Sequence, residues 1–283
     1  MTAKFRKGEE LFFKLLMKAA TIIILASLAS ILYIILKKGV QYMSLDMITK
    51  IPEGGFYIGK GGGILNAIIG SMYVAGGATL LGLFISIPIV LYMHLYLPKG
   101  SGLLNFVRTS FDVLFGIPSI VYGAFGFTLM VYLGLKTSLL AGILTVTLLI
   151  IPILVRSMDE VMLLVSGELK DALFALGATR WEAAKVMLRQ SAAGVFTAIL
   201  LAFGRAIGDA ACPLFTAGYT DSIPTSLDQP AATLPLAIFF QLSSPIEEVQ
   251  GRAYAAALIL TMLILIINIL IRYANKRLGR HKI

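Results

Sequence analysis

An arginine and an aspartate stand alone within a long apolar stretch of this sequence. Arg205 and Asp209 are the only charged residues between Gly194 and Asp221. A charged group in the hydrocarbon core of a bilayer costs roughly 2.5 to 17 kcal/mol, and membrane proteins retain one mainly where it meets an ion, a substrate or a partner charge. A guanidinium presents several coplanar donors, which suits recognition of an oxyanion such as phosphate. The pair therefore indicates an anion path through a membrane.

The spacing of the two residues allows two interpretations. In a helix they lie one turn apart on one face, so Asp209 would hold the guanidinium in place and accept a hydrogen bond from a protonated phosphate oxygen. It would also keep the site from binding the anion too tightly to release it. Alternatively, the two residues form a buried ion pair that only fixes helix packing. If the span starts near Gly194, Arg205 lies roughly 16 Å along it, close to the middle of a hydrocarbon core about 30 Å thick.

The composition of the chain requires a membrane. Hydrophobic residues make up 58% of the 283 residues and charged residues 14%, and the mean hydropathy is +0.88. Soluble domains carry roughly 25% charged residues, so no soluble core would hide this apolar surface.

The net charge of +9 does not indicate nucleic-acid binding, because the basic residues occupy loops between apolar runs, where they orient a membrane protein. Cys212 is the single cysteine, which excludes an internal disulfide, and the two histidines are too far apart in sequence to suggest a metal site.

Six apolar runs are long enough to cross a bilayer as helices. We predict an all-α integral membrane fold in one domain over residues 1–283, with spans near 18–36, 64–92, 111–133, 138–155, 194–212 and 254–271. The first run is too long for a signal peptide and is followed by Lys37 and Lys38, so it is predicted to be a retained span. Seventeen of the 24 lysines and arginines lie in segments on the side of the N-terminus, and six lie on the other side. This excess predicts a plasma-membrane or inner-membrane protein with both termini in the cytoplasm.

The predicted cytoplasmic segment, residues 156–193, has the pattern of a helix, a turn and a second helix. Gly177 suits the left-handed cap that ends the first helix. Thr179 stands three residues before Glu182, which is the spacing of a capping box at the start of the second helix. The first helix carries an apolar stripe made of Leu169, Ala172, Leu173 and Leu176. The stripe has to be buried against protein, either a partner or the helix ends of this chain.

The segments on the outer side carry no recognisable catalytic motif. The run GGFYIGKG at 54–61 nearly matches a phosphate-binding loop, but Gly61 occupies the Ser/Thr position that binds magnesium, and no strand precedes it. No nucleophile elbow or zinc-protease motif occurs, so the chain is predicted to be no enzyme and to bind no cofactor of its own.

Residues 213–250 contain half of the ten prolines, and the stretch 232–243 predicts a short re-entrant or interfacial helix.

The run KDALFALGATRWEAAKVML at 170–188 resembles the EAA loop of ABC importer permeases. In that family a Glu-Ala-Ala sequence has a glycine six residues after the Glu, and here Asp stands in place of Glu. The resemblance implies that a short helix docks into a groove on a cytosolic ATPase and transmits nucleotide-driven motion. The residues expected to couple the chain to the ATPase are Asp171, Ala172, Gly177, Thr179, Arg180 and Glu182.

Two further runs, GIPSIVYG at 116–123 and GRAIGDAACPLFTAG at 204–218, are similar to permease subunits of phosphate-specific ABC importers, the PstA type. The resemblance implies the MetI-like fold of type I ABC importer permeases and import of inorganic phosphate by alternating access. It also implies three protein partners: a homologous second permease subunit, a dimer of a cytosolic ATP-binding subunit, and an extracytoplasmic phosphate-binding protein. ATP and magnesium would be bound by the ATP-binding subunits.

The first of these two runs contains further candidates for the substrate path, Ser119 and Tyr122. Gly116 and Pro118 are placed to break the third span near its cytoplasmic end. The alternative is that the small residues of this run only permit close helix packing. Other functions also remain open, namely a permease for molybdate or sulfate, or a membrane sensor or scaffold that transports nothing.

Overall fold

The computed structural model describes residues 3–54, 61–165 and 167–278 and places them in twelve helices. They are α1 (Ala3–Gln41), α2 (Leu45–Thr49), α3 (Leu65–Leu95), α4 (Gly102–Gly116), α5 (Ser119–Tyr132), α6 (Leu139–Leu163), α7 (Gly167–Ala175), α8 (Arg180–Gln190), α9 (Ala192–Ile207), α10 (Ala211–Thr216), α11 (Leu234–Leu242) and α12 (Glu247–Leu278). The predicted all-α fold is confirmed for this part of the chain. Most of the run at 54–61 and the last basic residues, Arg280 and Lys282, lie outside it.

Four helices of the described residues are long and apolar enough to cross a membrane without interruption, namely α1, α3, α6 and α12. They coincide with the predicted spans 18–36, 64–92, 138–155 and 254–271, and each helix continues beyond the predicted run. Two bent pairs of helices, α4–α5 and α8–α9, raise the number of candidate spans to six if each pair is one crossing.

The third predicted span, 111–133, is divided into two helices. α4 ends at Gly116, α5 begins at Ser119, and the helix axes differ by 96°. Pro118 stands at the N-cap of α5. Because proline has no backbone N–H, it cannot continue the hydrogen bonding of α4, whereas it is tolerated at a helix start. The predicted break at Gly116 and Pro118 is confirmed.

The fifth predicted span, 194–212, is interrupted as well. α9 begins at Ala192 and ends at Ile207, with Gly208 as its C-cap, and α10 begins at Ala211. The crossing therefore consists of a long helix, a short break and a helix of six residues.

Contacts between loops sort the helix ends into two groups. At one end the amide of Asn66 donates to the carbonyl of Thr220 over 2.6 Å, and α11 packs against α12 and α3. At the other end His94 on α3 lies 2.7 Å from Asp159 on α6. The short helix predicted at 232–243 is confirmed as α11.

The centre of the molecule is the contact between α3 and α6. A Cβ atom added to Gly77 would lie 2.7 Å from the Ile143 side chain, and one added to Gly82 would lie 3.0 Å from Leu154. Glycine at these two positions thus lets the helices approach closely. α1 packs against α12 at the periphery, and its most apolar stretch is not buried within the chain. Such a surface suits lipid or a second subunit.

Candidate functional site

The predicted ion pair forms at the end of α9. Arg205 Nη1 lies 3.2 Å from Asp209 Oδ1. The aspartate side chain is 2% exposed, whereas the arginine side chain is 45% exposed. In the single chain the pair is thus not buried on both sides, unlike the ion pair of the packing interpretation. The guanidinium instead directs part of its surface out of the single chain, while the carboxylate is anchored inside.

Asp209 also connects the two halves of the broken crossing. Its Oδ2 accepts a hydrogen bond from the backbone N–H of Cys212 over 2.9 Å. The N–H groups in the first turn of a helix have no partner within that helix, so a side-chain acceptor satisfies one of them. One carboxylate thus pairs with a cation in the last turn of α9 and caps the start of α10.

The local structure at Arg205 differs from the prediction, and the depth of this residue in a membrane stays a prediction. The prediction placed Arg205 in the interior of a helix, and it lies in the last turn of α9, next to the break. The free carbonyl groups of a helix C-terminus favour a cation there. Taken over the stretch 192–216, which α9 and α10 cover together, Arg205 falls near the centre.

The two sequence motifs that carry the resemblance lie in contact. α5 packs against α10, and the Cys212 thiol donates to the carbonyl of Ser119 over 3.3 Å. The Tyr122 hydroxyl donates to the carbonyl of Leu114 over 2.9 Å, across the bend between α4 and α5. Ser119 and Tyr122 are therefore close in the fold to the chain break that holds the ion pair, and the tyrosine hydroxyl stabilises the bend.

Small residues set the distance between α5 and its neighbours. A Cβ atom on Gly123 would lie 2.7 Å from the carbonyl oxygen of Ala211, and one on Gly126 would collide with the side chain of Thr145. The close-packing interpretation accounts for these glycines.

The helix–turn–helix predicted in the segment 156–193 is confirmed as α7 and α8. Gly177 has a φ of +80°, the left-handed conformation that glycine adopts without strain. The Thr179 hydroxyl accepts from the N–H of Glu182 over 3.3 Å, and the Glu182 carboxylate accepts from the N–H of Thr179 over 2.7 Å. This is the predicted capping box. The Thr179 backbone N–H, followed by its hydroxyl, holds the pKa of Glu182 below its usual range.

The apolar stripe of α7 is only partly covered. Leu173 packs against the core, whereas Leu176 is 86% exposed and Ala172 is exposed. The helix ends of this chain therefore bury only part of the apolar stripe. All six residues expected to couple to an ATPase are exposed, namely Asp171, Ala172, Gly177, Thr179, Arg180 and Glu182.

A buried charge cluster that the sequence did not predict lies at the same end of the molecule as α7 and α8. The Arg108 guanidinium donates to both oxygens of Asp159, each over 2.8 Å, and His94 Nε2 lies 2.7 Å from one of those oxygens. The cluster ties together α3, α4 and α6. An acidic residue near the end of an apolar helix was a signal for it, but the sequence does not say which cations fold onto Asp159.

The end of α3 also contacts α7 and α8 directly. The Lys170 ammonium donates to the backbone carbonyl of His94 over 2.6 Å, and the Arg180 guanidinium lies 4.4 Å from the centre of the Tyr96 ring. These two contacts connect α7 and α8 directly to the end of α3, so a displacement of α7 and α8 would act on that end.

Comparison with known proteins gives a consistent result. The family described as "Binding-protein-dependent transport system inner membrane component" matches residues 99–280. The phosphate transport system permease protein PstA of Haemophilus influenzae is 33% identical over 243 residues, covering 86% of this chain and 85% of the relative. The PstA protein of Yersinia pestis is 35% identical over 250 residues, with 87% and 84% covered. The probable ABC transporter permease protein YqgI of Bacillus subtilis is 30% identical over 267 residues, with 89% and 90% covered.

A similar fold occurs in a solved structure of the MetNI methionine ABC transporter in an inward-facing conformation. One chain of that structure matches with a TM-score of 0.64 at 17% identity, covering 76% of this chain and 95% of that chain. At this level of identity the likeness concerns the fold alone, and it agrees with the predicted MetI-like architecture.

Proposed function

Since the chain belongs to the family of binding-protein-dependent transport system inner membrane components, we propose that it is the permease subunit of an ATP-driven importer of inorganic phosphate. Two relatives of similar length carry the name phosphate transport system permease protein, at 33% and 35% identity. The substrate in this proposal is phosphate, and the process is alternating access of a site within the membrane.

The observation that carries the proposal is the unequal burial of the Arg205–Asp209 pair. The guanidinium is half-exposed and keeps donors free to meet an anion, while the buried carboxylate holds it in position. Two oxygens of a tetrahedral phosphate can accept parallel hydrogen bonds from the planar guanidinium. The path runs past Arg205, with Asp209, Ser119 and Tyr122 around the break that displays it.

The same pair suits transport better than tight storage. A carboxylate beside the guanidinium offsets part of its positive charge, which weakens anion binding enough for release. The predicted hydrogen bond from a protonated phosphate oxygen to Asp209 does not fit the buried carboxylate, whose two oxygens contact Arg205 and the N–H of Cys212. A site that changes sides requires two packings of the helices whose balance is set by the nucleotide state of the partner.

The proposed partners follow the topology. A cytosolic ATP-binding dimer, which holds ATP and magnesium, docks on the exposed face of α7 and α8, so that this end of the molecule faces the cytoplasm. A homologous second permease subunit completes the path. An extracytoplasmic phosphate-binding protein delivers the anion at the opposite end, where residues 213–250 help to receive it. The protein lies in the plasma membrane or inner membrane with both termini in the cytoplasm.

Uptake of radiolabelled phosphate into vesicles that contain the assembled transporter tests the role of Arg205. Arg205→Gln should reduce uptake by about tenfold or more, because at least one charge-assisted contact worth roughly 1.5–3 kcal/mol is lost. Arg205→Lys should retain part of the activity, since a lysine keeps the charge without the planar fork. The matched control is Lys50→Gln, which breaks an exposed pair of the same i,i+4 spacing with Asp46. Unchanged uptake in both Arg205 variants would remove the substrate-path role.

The alternative substrates are tested in the same vesicles. Sulfate and molybdate at equal concentration should leave phosphate uptake nearly unchanged. If either anion competes as well as unlabelled phosphate does, the importer serves a different oxyanion. A sensor or scaffold that transports nothing would show no ATP-dependent uptake of any of the three.

A further inference from the structure

A cavity lies between the end of α3, the start of α4 and the start of α7. Its volume is about 360 Å³, within the range of roughly 300–1,000 Å³ that small-molecule sites occupy. The lining includes the side chains of His94, Lys99, Arg108 and Lys170. The cavity lies at the end of the molecule that carries α7 and α8, and it does not include Arg205 or Asp209.

Positive charge dominates this cavity. Lys99, Arg108 and Lys170 bring three basic side chains to the lining, and the nearby carboxylate of Asp159 is 3% exposed and already shared between Arg108 and His94. The cluster described above therefore leaves the two lysines uncompensated by Asp159. A concave surface with low-dielectric walls and charge of one sign concentrates ions of the opposite sign.

One of the basic side chains lies beside the start of α7. The Lys99 ammonium lies 3.2 Å from the position that a Cβ atom on Gly167 would take, so it sits at the N-terminus of α7. The first N–H groups of an α-helix have no partner within the helix and favour an anion. Lys170 gives one of its three ammonium protons to the carbonyl of His94 and also belongs to the cavity lining.

We propose that this cavity binds a phosphate group at the α7 end of the molecule, either as free inorganic phosphate or as the headgroup of an anionic phospholipid. Lys99 and the N-terminus of α7 supply the principal donors, and Lys170 and Arg108 complete the site. Basic pockets between membrane helices bind anionic headgroups in this way. The site is separate from the path at Arg205, so it does not depend on which ion the path carries.

Occupancy has a mechanical consequence. An anion held by Lys99, which follows α3, and by the start of α7 would join the coupling helices to the membrane helices. It would fix α7 relative to α3, in addition to the bond from Lys170 to His94. The phosphate group thus sets how firmly the coupling helices are attached to the crossing helices.

The test uses the purified assembled transporter that carries Arg205→Gln, so that binding in the substrate path does not contribute. In the first arm, the thermal unfolding midpoint is measured against inorganic phosphate concentration at constant ionic strength, with potassium chloride as the balancing salt. In the second arm, native mass spectrometry measures retained phosphatidylglycerol after reconstitution in mixed phosphatidylglycerol and phosphatidylcholine. Both arms compare the parent, in which Lys99 is unchanged, with the Lys99→Gln, Lys99→Arg and Lys170→Gln variants. The control is Lys185→Gln, whose ammonium lies 5.2 Å from the Trp181 ring centre and outside the cavity lining.

Lys99→Gln and Lys170→Gln should each weaken the binding of the occupant by about tenfold, because each removes a charge-assisted contact. Lys99→Arg should restore it, and Lys185→Gln should leave it unchanged. An effect in the first arm identifies free phosphate, and one in the second arm identifies a lipid headgroup. If neither arm separates Lys99→Gln from Lys185→Gln, the proposal is overturned, whatever the result of the uptake test on Arg205.

Discussion

At the scale of single residues, the ion pair divides two tasks between its members. Asp209 is buried and makes two contacts, one to Arg205 and one to the N–H of Cys212. Arg205 is tied at one nitrogen and half-exposed elsewhere. The carboxylate is therefore part of the architecture, and the proposed anion contact falls to the guanidinium. Substitutions at Asp209 can separate these tasks because asparagine caps a helix about as well as aspartate does but carries no charge.

Asp209→Asn should leave the thermal stability of the assembled transporter within about 1 kcal/mol of the parent, since the acceptor for Cys212 remains. It should lower both the maximal rate of phosphate uptake and the half-saturating concentration, because an uncompensated guanidinium holds the anion longer. The measurement is the concentration dependence of uptake. Asp46→Asn, which removes the charge of the exposed partner of Lys50, serves as the control. An unchanged rate and half-saturation for Asp209→Asn would contradict the proposed role of the carboxylate.

At the scale of elements, the candidate functional segments are places where a helix ends or bends. α4 and α5 meet at Pro118 with a bend of 96°, and α9 gives way to α10 after Ile207. α7 ends at the turn that contains Gly177. Each stop exposes backbone groups or redirects side chains, and a polar side chain nearby satisfies what the stop leaves open. Tyr122 does so for the first bend, and Asp209 does so for the second break.

Gly177→Val should uncouple ATP hydrolysis from uptake. A β-branched residue at a φ of +80° costs about 1–2 kcal/mol in backbone strain, so the turn between α7 and α8 should open while the crossing helices stay inserted. Uptake should fall several-fold while ATPase activity of the assembled transporter persists.

The matched control for this substitution is Gly134→Val. Gly134 has a φ of +68°, and a Cβ atom there would meet nothing within 4 Å, as at Gly177. It lies in the turn between α5 and α6, outside the coupling segment. Equal loss of uptake in the two variants would mean that backbone strain in general, and not the α7–α8 turn, impairs the transporter.

At the scale of the whole molecule, the two ends differ in how they are held together. The end with α10 and α11 is joined by backbone and amide hydrogen bonds, such as that from Asn66 to Thr220. The end with α7 and α8 is joined by charges centred on Asp159. The cluster around Asp159 ties the ends of α3 and α6 to α4 at one point, and the apolar core lies between α3 and α6. Such a connection suits an end that receives force from a partner.

Asp159→Asn should destabilise the protein by about 3 kcal/mol, since it leaves the Arg108 guanidinium partly buried without its counter-charge. The comparison is Asp112→Asn, which removes the charge of a half-exposed partner of Arg156 and should cost less than about 1 kcal/mol. Both values come from thermal unfolding of the assembled transporter in detergent. Equal effects of the two substitutions would contradict the assignment of Asp159 as the electrostatic centre of this end.

Much of the membrane architecture follows from the sequence alone, for a local reason. Apolar runs of sufficient length must be helical in lipid, since only a helix satisfies its own backbone. Caps such as Gly177 and the pair of Thr179 and Glu182 depend on neighbours within four residues, and all were predicted correctly. The isolated charges Arg205 and Asp209 stood out because the cost of burying a charge does not depend on the fold.

Only the tertiary structure shows which charges meet, how far each is buried and where the fifth predicted span is interrupted. Beyond the break at Gly208, α10 packs against α5, whereas the break at Gly116 and Pro118 has a local cause that the sequence carries. Arg108 and His94 stand 51 and 65 positions before Asp159 in the sequence. Hydropathy carries no information about which residues pair over such separations. The unequal exposure of Arg205 and Asp209 likewise depends on which face of α9 the neighbouring helices cover, because burial is a property of the assembled chain and not of the residue.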